Sequence, residues 1–291
     1  MNRLTPVKTA SVTMALALAG AALVAPAPAE AAGRAKTQSV SVLSFNIHHA
    51  ADHTNDLDVA RTAKVITDSD ADVIGLQEVD NHWGSRSEFA DQAAQLAEAT
   101  GMKVVFGANL DNPPVAGQTE RQQYGTAILS KYPIVESENI PLTTIEYPEK
   151  PTEPRGLLTA TLNVRGVKLD VFNTHYDHQR AEQRDLEVTE TLQRAADTDH
   201  PIVLTGDLNA GPSAQEIQRL AITFTDTAAA LGQNDAYTYP VEAPNNRIDY
   251  VMARAGAGGT VKPVSTEVIN TLASDHRPVL STVEITATPG N

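Results

Sequence analysis

Residues 201–209, Pro-Ile-Val-Leu-Thr-Gly-Asp-Leu-Asn, join a strand pattern to a pair of polar side chains. The first five residues form a short apolar run that predicts a buried strand, and Asp207 follows where that strand reaches solvent. Because side chains alternate along an extended chain, we expect Asp207 and Asn209 to point the same way and to share one site. An Asp-x-Asn pair is also an ordinary turn motif before a helix, so the pair alone leaves both interpretations open.

Two further segments place oxygen-bearing side chains at the ends of apolar runs. The strand predicted over Ser39–Ile47 contains Asn46 near its end, and the buried run Ala71–Leu76 is followed closely by Glu78. Carboxylate and amide oxygens bind Mg²⁺, Mn²⁺ and Ca²⁺, and Mg²⁺ keeps several waters beside a few protein ligands. If the two strands are neighbours, Asn46 and Glu78 can bind one cation. For Glu78 alone, a solvated acid at a strand end is an equal alternative.

Two histidines, His175 and His276, lie at the ends of predicted strands. A histidine that carries a proton or donates to a substrate needs a partner that orients its ring. Asp249 is the best candidate for the partner of His276, because it lies in the apolar segment Arg247–Val251, where an acid is costly unless it is hydrogen-bonded.

Rival chemistries lack their motifs. The sequence contains no cysteine, which excludes thiol catalysis, zinc-thiolate sites and disulfides. It contains no Gly-x-Ser-x-Gly elbow of a serine hydrolase, no His-Glu-x-x-His zinc helix and no glycine-rich phosphate loop. The segment His175–His178 offers a local histidine pair, but without a third ligand it is weak evidence for zinc.

The remaining patterns predict an α/β protein. Further strands are predicted at Lys103–Phe106, Tyr124–Ser130, Leu157–Val164, Lys168–Phe172, Ile248–Ala253 and Pro278–Ile285, helices at Leu57–Thr67 (capped by Asp56), Ser87–Thr100 (ended by Gly101), Ala181–Ala196 and Ala214–Leu220, and irregular loops at Asn109–Gln123 and Ile145–Pro154. Many strands with helices between them suit two packed sheets flanked by helices, a four-layer sandwich.

The N-terminus reads as a secretory signal over residues 1–31. Arg3 and Lys8 supply a basic start, an apolar run follows over Ala10–Val24, and Ala29-Glu30-Ala31 fits a cleavage site. We expect export after cleavage near Ala31, a tail over 32–38, one domain over 39–286 and a tail over 287–291. The apolar run is too short for stable membrane insertion, and we expect a monomer.

The charge balance weighs against nucleic acid as a substrate. The formal net charge is −14, and without the predicted signal 20 basic and 35 acidic residues remain. Binding to polyanions depends on Lys and Arg that displace counterions from phosphates, and the sequence offers no basic run for such a groove. A local basic patch remains compatible with this composition.

Six short segments together resemble the endonuclease/exonuclease/phosphatase superfamily, which includes DNase I, abasic-site nucleases, inositol polyphosphate 5-phosphatases and neutral sphingomyelinases. The resemblance runs from about residue 39 to residue 285. Its segments, in order, are Ser44–His48 (SFNIH), Leu76–Val79 (LQEV), Asn173–His175 (NTH), Gly206–Asn209 (GDLN), Arg247–Val251 (RIDYV) and Ser274–Val279 (SDHRPV). It implies a DNase I-like α/β fold of two mixed β-sheets packed face to face and flanked by helices.

The resemblance also implies roles for individual residues. Its metal-binding pair corresponds to Asn46 and Glu78, with Asp275 assisting, and Mg²⁺ is the expected ion, with Mn²⁺ or Ca²⁺ as alternatives. Its candidate catalytic residues correspond to Asp207 and Asn209, which orient water and phosphate, to His175, which contacts phosphate, and to His276 with its orienting acid Asp249. Between Asp207 and His276 as the general base, we favour Asp207.

The predicted function is a secreted, divalent-metal-dependent phosphodiesterase that acts on a small or lipid-derived phosphoester by in-line attack of water. Arg121, Arg155 and His178 are candidate substrate-binding residues, although a structural role is an equal alternative for the arginines. An extracellular nuclease that scavenges phosphate is the competing enzyme. A binding protein that kept the fold and lost catalysis is a third alternative, against which the intact set of acids and histidines argues.

Overall fold

A computed structural model describes residues 1–3, 5, 6, 9 and 35–288 of the chain. The chain separates into Met1–Arg34 and Ala35–Asn291, and the fold reported below belongs to the second unit. Most of the predicted secretory signal, including its apolar run, lies outside the described residues. No helix among the described residues is long and apolar enough to cross a membrane.

Residues 35–288 form twelve strands and five α-helices. In chain order these are β1 (Thr37–Asn46), α1 (Val59–Asp68), β2 (Val73–Asn81), α2 (Gln92–Thr100), β3 (Lys103–Asn112), β4 (Gln122–Ser130), β5 (Ile134–Pro141), β6 (Gly156–Val164), β7 (Val167–His175), α3 (Ala181–Ala196), β8 (Ile202–Asp207), α4 (Gln215–Leu220), β9 (Thr225–Asp226), α5 (Thr227–Ala230), β10 (Asp249–Arg254), β11 (Gly259–Val268) and β12 (Val279–Ala287).

The strands build two mixed sheets of six strands each. The first has the order β11-β12-β1-β2-β4-β3, and the second has the order β5-β6-β7-β8-β10-β9. The pairs β1–β2 and β7–β8 are parallel, and the other neighbours are antiparallel. Parallel neighbours need a crossover, and α1 and α3 supply it in the two sheets.

β-Branched side chains from both sheets form the central core. Val42 and Val73 of the first sheet pack in one buried cluster with Val171 and Val203 of the second. A second cluster lies between the first sheet and α1–α2, and a third lies between the second sheet and α3–α4. This layering confirms the predicted four-layer α/β sandwich.

The sequence patterns missed the edge strands β5 and β11 and the two-residue strand β9. β5 and β11 each pair with only one neighbour, and most of their side chains are exposed or half-buried. An exposed edge strand lacks the apolar alternation that predicts a strand. The predicted loop over 109–123 is also too long, because β3 continues to Asn112 and β4 begins at Gln122.

Two predicted helix starts were wrong. The side chain of Asp58, rather than Asp56, caps α1 by accepting from the backbone N–H of Arg61 at 2.9 Å. The helix predicted from Ser87 begins at Gln92, because Glu88 and Phe89 adopt φ of 55°, which an α-helix excludes. In contrast, α3 has its predicted bounds.

The sandwich begins and ends slightly outside the predicted boundaries. Thr37 pairs with Thr286 across β1 and β12, and β12 continues to Ala287. The tail predicted over 32–38 is therefore shorter, because residues 37 and 38 already belong to the sheet.

Two features of the sheets position the polar residues. A bulge in β2 shifts the register between Leu76 and Val79, and Glu78 within it has a φ of +58°. Such a bulge redirects a side chain out of the regular alternation. In the second sheet, His175, Asp207 and Asp249 are direct neighbours across β7, β8 and β10, so their side chains form one row.

Candidate active site

Asp207 lies at the centre of a polar cluster where the ends of both sheets meet. Its Oδ2 accepts a hydrogen bond of 3.0 Å from Nδ2 of Asn46, which belongs to the first sheet. The same Asn46 amide donates to Oε1 of Glu78 at 3.0 Å. One asparagine therefore bridges two carboxylates from different sheets, and this contact holds the two halves of the cluster together.

The Asp207–Asn209 pair forms an ordinary turn and also belongs to the candidate site, so both interpretations of its motif apply. The backbone N–H of Asn209 donates to Oδ1 of Asp207 at 3.0 Å, the bond of an ordinary Asx turn, and Asn209 takes a φ of 51°. Its side chain donates to the carbonyl of Tyr176 at 2.9 Å. The turn thus fixes both residues at the wall of a cavity.

His276 has the acidic partner that its sequence context predicts. Its Nδ1 lies 2.9 Å from Oδ2 of Asp249, its Nε2 lies 3.7 Å from Oδ2 of Asp207, and its ring stacks on Tyr239 with centroids 4.7 Å apart. Burial by itself lowers the pKa of His276, but the charges of Asp249 and Asp207 outweigh burial and raise that pKa. His276 is therefore a cation at neutral pH.

The protonation of Asp207 is shifted as well. Complete burial, and after it the charge of Asp249, raises the pKa of Asp207, although His276 and the bonds from Asn209 and Asn46 oppose the shift. A carboxylate with a raised pKa is a stronger base, which suits a group that accepts a proton from water.

His175 has a different environment. Its Nε2 lies 3.5 Å from Oδ2 of Asp207, and its Nδ1 lies 3.2 Å from Nη1 of Arg155. Burial first, and then the charges of Arg155, His276 and His178, lowers the pKa of His175 well below its usual value. This histidine is neutral across the physiological range.

The cluster opens into a cavity of about 420 Å³. Of the residues predicted from sequence, its lining includes Glu78, Arg155, His175, His178, Asp207, Asn209, Asp275 and His276. Asn46 and Asp249 are fully or almost fully buried directly behind this wall and bind its residues. The structure therefore brings together ten of the eleven predicted site residues.

Arg121 is the predicted site residue that the cavity does not include. Its guanidinium is about half exposed and bonds the carboxylate of Asp111 at 2.6 Å, across the hairpin of β3 and β4. This ion pair gives Arg121 a local partner outside the cavity, so the structural alternative describes its position better than the substrate-binding one.

Four lining residues were missed by sequence reasoning: Tyr124, Glu153, Tyr239 and Ile248. Tyr124 is almost buried at the start of β4, and Glu153 lies in the irregular segment before β6. Neither carries a local motif, because the segments that bring them to the cavity are contiguous only in the fold.

The carboxylates of the cavity fit a hard divalent cation. Glu78 and Asp275 both line it, and each side chain is partly open to solvent. Asn46 differs from the expectation, because its amide oxygen accepts from the backbone N–H of His48 at 3.1 Å while its nitrogen faces the carboxylates. Its role as an oxygen ligand of the metal stays a prediction.

Asp207, Asp249 and His276 form a second group of possible ligands, with one atom of each within 4.8 Å of the others. Nδ1 of His276 and Oδ2 of Asp249 are hydrogen-bonded to each other, so these two atoms are engaged with each other instead of a metal. The arrangement is therefore better suited to proton handling than to a metal shell.

Comparisons with known proteins agree with this geometry. A family model described as "Endonuclease/Exonuclease/phosphatase family" matches residues 43–276. Protein cwh43 of Schizosaccharomyces pombe is 28% identical over 176 residues, which cover 60% of this chain and only 17% of that protein. The chain thus spans about a sixth of the length of this curated relative.

Solved structures share the fold. An endonuclease/exonuclease/phosphatase from Beutenbergia cavernae superposes with a TM-score of 0.68 at 25% identity, over 84% of this chain and 71% of that one. The mannosyl-6-phosphatase Bt3783 of Bacteroides thetaiotaomicron superposes with a TM-score of 0.64 at 18% identity, over 84% and 99% of the two chains.

Proposed function

Because the chain belongs to the endonuclease/exonuclease/phosphatase family of metal-dependent phosphoester hydrolases, we propose that it is a phosphodiesterase that acts on a small or lipid-derived phosphoester. The observation that carries the proposal is the convergence of Glu78, Asp207 and the His276–Asp249 pair on one cavity. We further propose Mg²⁺ as the ion, a monomer as the working form, and export after cleavage near Ala31.

The residues of the cavity divide the reaction between them. Asp207 orients the attacking water and takes its proton, for which its raised pKa suits it. The His276 cation donates to a phosphate oxygen as negative charge develops, and His175, whose Nε2 approaches the same Asp207 oxygen, is a second donor. A divalent cation on Glu78 and Asp275 would neutralise a nonbridging oxygen and stabilise the departing oxygen.

Several features favour a small substrate over nucleic acid. The net charge of the chain is −14, and the acids Glu78, Glu153, Asp207 and Asp275 line the cavity. Its lining arginine, Arg155, is 3% exposed and already pairs with Glu153 at 2.6 Å. Among the residues that line this cavity, little positive charge therefore faces solvent to attract a polyanion.

A substrate panel tests this proposal. Purified enzyme with Mg²⁺ is assayed on bis-p-nitrophenyl phosphate, sphingomyelin, phosphatidylinositol, mannose 6-phosphate and plasmid DNA, with His276→Ala as the inactive control. We expect turnover of a diester that exceeds both monoester hydrolysis and plasmid nicking. Rapid nicking of plasmid at low enzyme concentration would replace the proposal with a nuclease, and activity on the monoester alone would exclude a phosphodiesterase.

A further inference from the structure

His175 and His276 both approach Oδ2 of Asp207 through Nε2, at 3.5 Å and 3.7 Å, but their Nδ1 atoms have partners of opposite charge. His276 is bonded through Nδ1 to the carboxylate of Asp249 at 2.9 Å, whereas His175 faces, through Nδ1, the guanidinium of Arg155 at 3.2 Å. A carboxylate only accepts hydrogen bonds from an imidazole, and a guanidinium only donates them. The two partners therefore impose opposite requirements on the two rings.

The contact with Arg155 determines where the proton of His175 lies. A guanidinium cannot be deprotonated in a protein, so Nδ1 of His175 must accept and carry no hydrogen. The ring proton is then on Nε2, the atom 3.5 Å from Oδ2 of Asp207. His175 consequently presents a fixed N–H to the centre of the cluster. In metal-binding histidines, the hydrogen bond of one ring nitrogen fixes the state of the other nitrogen, and Arg155 fixes the tautomer of His175 in the same way.

Arg155 is built into the wall and is poorly placed for a mobile role. Its residue is 3% exposed, Nη1 also bonds Glu153 at 2.6 Å, and Nη2 lies 3.4 Å from Nδ1 of His178. Three side chains thus hold the guanidinium against His175. The salt bridge to Glu153 also neutralises much of the charge that a substrate phosphate would otherwise meet.

We propose that Arg155 is a positioning residue that locks His175 as a neutral Nε2–H donor directed at the centre of the cluster. The proposal rests on the proposed phosphoester hydrolysis for its catalytic consequence, although the tautomer itself is a property of the free protein. It distinguishes Arg155 from a residue that binds the substrate directly.

The first experiment needs no activity. ¹⁵N NMR of the wild-type protein labelled in histidine, with His175→Gln to assign the signal, reports which ring nitrogen is protonated. We expect a neutral ring protonated at Nε2. A ring protonated at Nδ1, or a charged ring at neutral pH, overturns the proposal even if the enzyme hydrolyses its substrate as proposed.

The second experiment is a double-mutant cycle on bis-p-nitrophenyl phosphate. A glutamine amide supplies an N–H donor without a tautomer, so His175→Gln keeps activity within about tenfold, whereas loss of a transition-state donor in His175→Ala costs about a hundredfold or more. Arg155→Met lowers kcat at least about tenfold in the wild-type background, with KM unchanged, and less than about threefold in the His175→Ala background, where no side chain remains for Arg155 to orient.

The outcomes of the cycle are distinct. Equal losses from Arg155→Met in both backgrounds, or a raised KM, mean that Arg155 contacts the substrate directly and overturn the proposal. Arg121→Met is the matched control, because it removes an arginine and an ion pair outside the cavity. Failure of the proposed function appears separately, as absence of turnover in the wild type while the NMR result stands.

Discussion

At the residue level, the two carboxylate oxygens of Asp249 show what a buried acid does in an apolar strand. One oxygen accepts from His276, and the other, Oδ1, is buried without a hydrogen-bond partner among the described residues. A buried unsatisfied oxygen is costly. The charge of Asp249 raises the pKa of His276, and Asp249 therefore keeps a cation beside Asp207.

Asp249→Asn tests this role. The amide still accepts from Nδ1 of His276 but carries no charge, so the pKa of His276 falls and the ring loses its proton at a lower pH than in the wild type. We expect kcat/KM to fall by about 10- to 100-fold at pH 8 and by less at pH 6. The pH profiles of both proteins measure this, with the exposed Asp235→Asn as control; parallel profiles would contradict the assignment.

At the level of elements, the β2 bulge sets the direction of the Glu78 side chain, and a residue of the opposite sheet holds the backbone of the bulge in place. Nδ2 of Asn173 in β7 donates to the carbonyls of Leu76 at 2.8 Å and Ala127 at 2.9 Å, and its Oδ1 accepts from Gln77 at 2.6 Å. Leu76 and Gln77, which Asn173 contacts in β2, lie where the register of that strand shifts. Asn173 therefore fixes the backbone from which Glu78 projects.

Asn173→Asp should loosen that backbone. The substitution keeps the size of the side chain but turns two donated bonds into contacts between oxygens, so the affinity for Mg²⁺ should fall by about 10- to 100-fold. Calorimetric titration with Mg²⁺ measures the affinity. Thr205→Val is the control, because it removes a hydroxyl bonded to Asn173 at 3.0 Å without touching the bulge. Equal Mg²⁺ affinities for Asn173→Asp and wild type would refute this role.

Helix α3 carries a buried acid with a separate consequence for stability. Glu187 accepts from the backbone of Asp177 and from the side chain of Gln183, but burial, the largest effect, raises its pKa from 4.5 to about 7. The folded state therefore binds a proton more tightly than the unfolded state. The contribution of Glu187 to stability is therefore greatest below pH 4.5 and falls as the pH rises to about 7.

Glu187→Gln should remove this dependence. Relative to wild type, the variant should gain about 3 kcal/mol of unfolding free energy between pH 4.5 and pH 8, because most of the loss that a shift from 4.5 to about 7 causes, at about 1.4 kcal/mol per pKa unit, falls between these pH values. Urea denaturation at both pH values provides the measurement. A difference between the two proteins that does not change with pH would contradict the assignment.

The elements also show what sequence patterns can predict. Buried strands such as β8 and the long helix α3 follow directly from apolar periodicity. Eight of the residues predicted for the site line one cavity, and Asn46 and Asp249 lie directly behind its wall. The β2 bulge and the lining residues Tyr124 and Tyr239 do not follow, because they depend on contacts between distant segments. The orientation of the Asn46 amide likewise depends on its neighbours, since it takes two carboxylates from different elements as acceptors.

At the level of the whole molecule, each sheet of the sandwich supplies one half of the polar cluster, here called a half-site. The first sheet supplies Asn46 and Glu78, and the second supplies His175, Asp207 and Asp249. Valines of both sheets pack in the core beneath them, so one buried cluster supports both half-sites. Rigid preorganisation of this kind is what electrostatic stabilisation of a transition state requires.

Metal-dependent hydrolysis requires a divalent cation at Glu78, and the rate with and without the ion measures this requirement. The initial rate on bis-p-nitrophenyl phosphate is measured for wild type, Glu78→Gln and the exposed control Glu98→Gln, in EDTA and after addition of Mg²⁺. We predict that EDTA lowers the wild-type rate by about a hundredfold or more, that Mg²⁺ restores it, and that Glu78→Gln alone stays inactive at the Mg²⁺ concentration that saturates the other two. An undiminished wild-type rate in EDTA, or a Glu78→Gln variant as active as Glu98→Gln, would contradict the account.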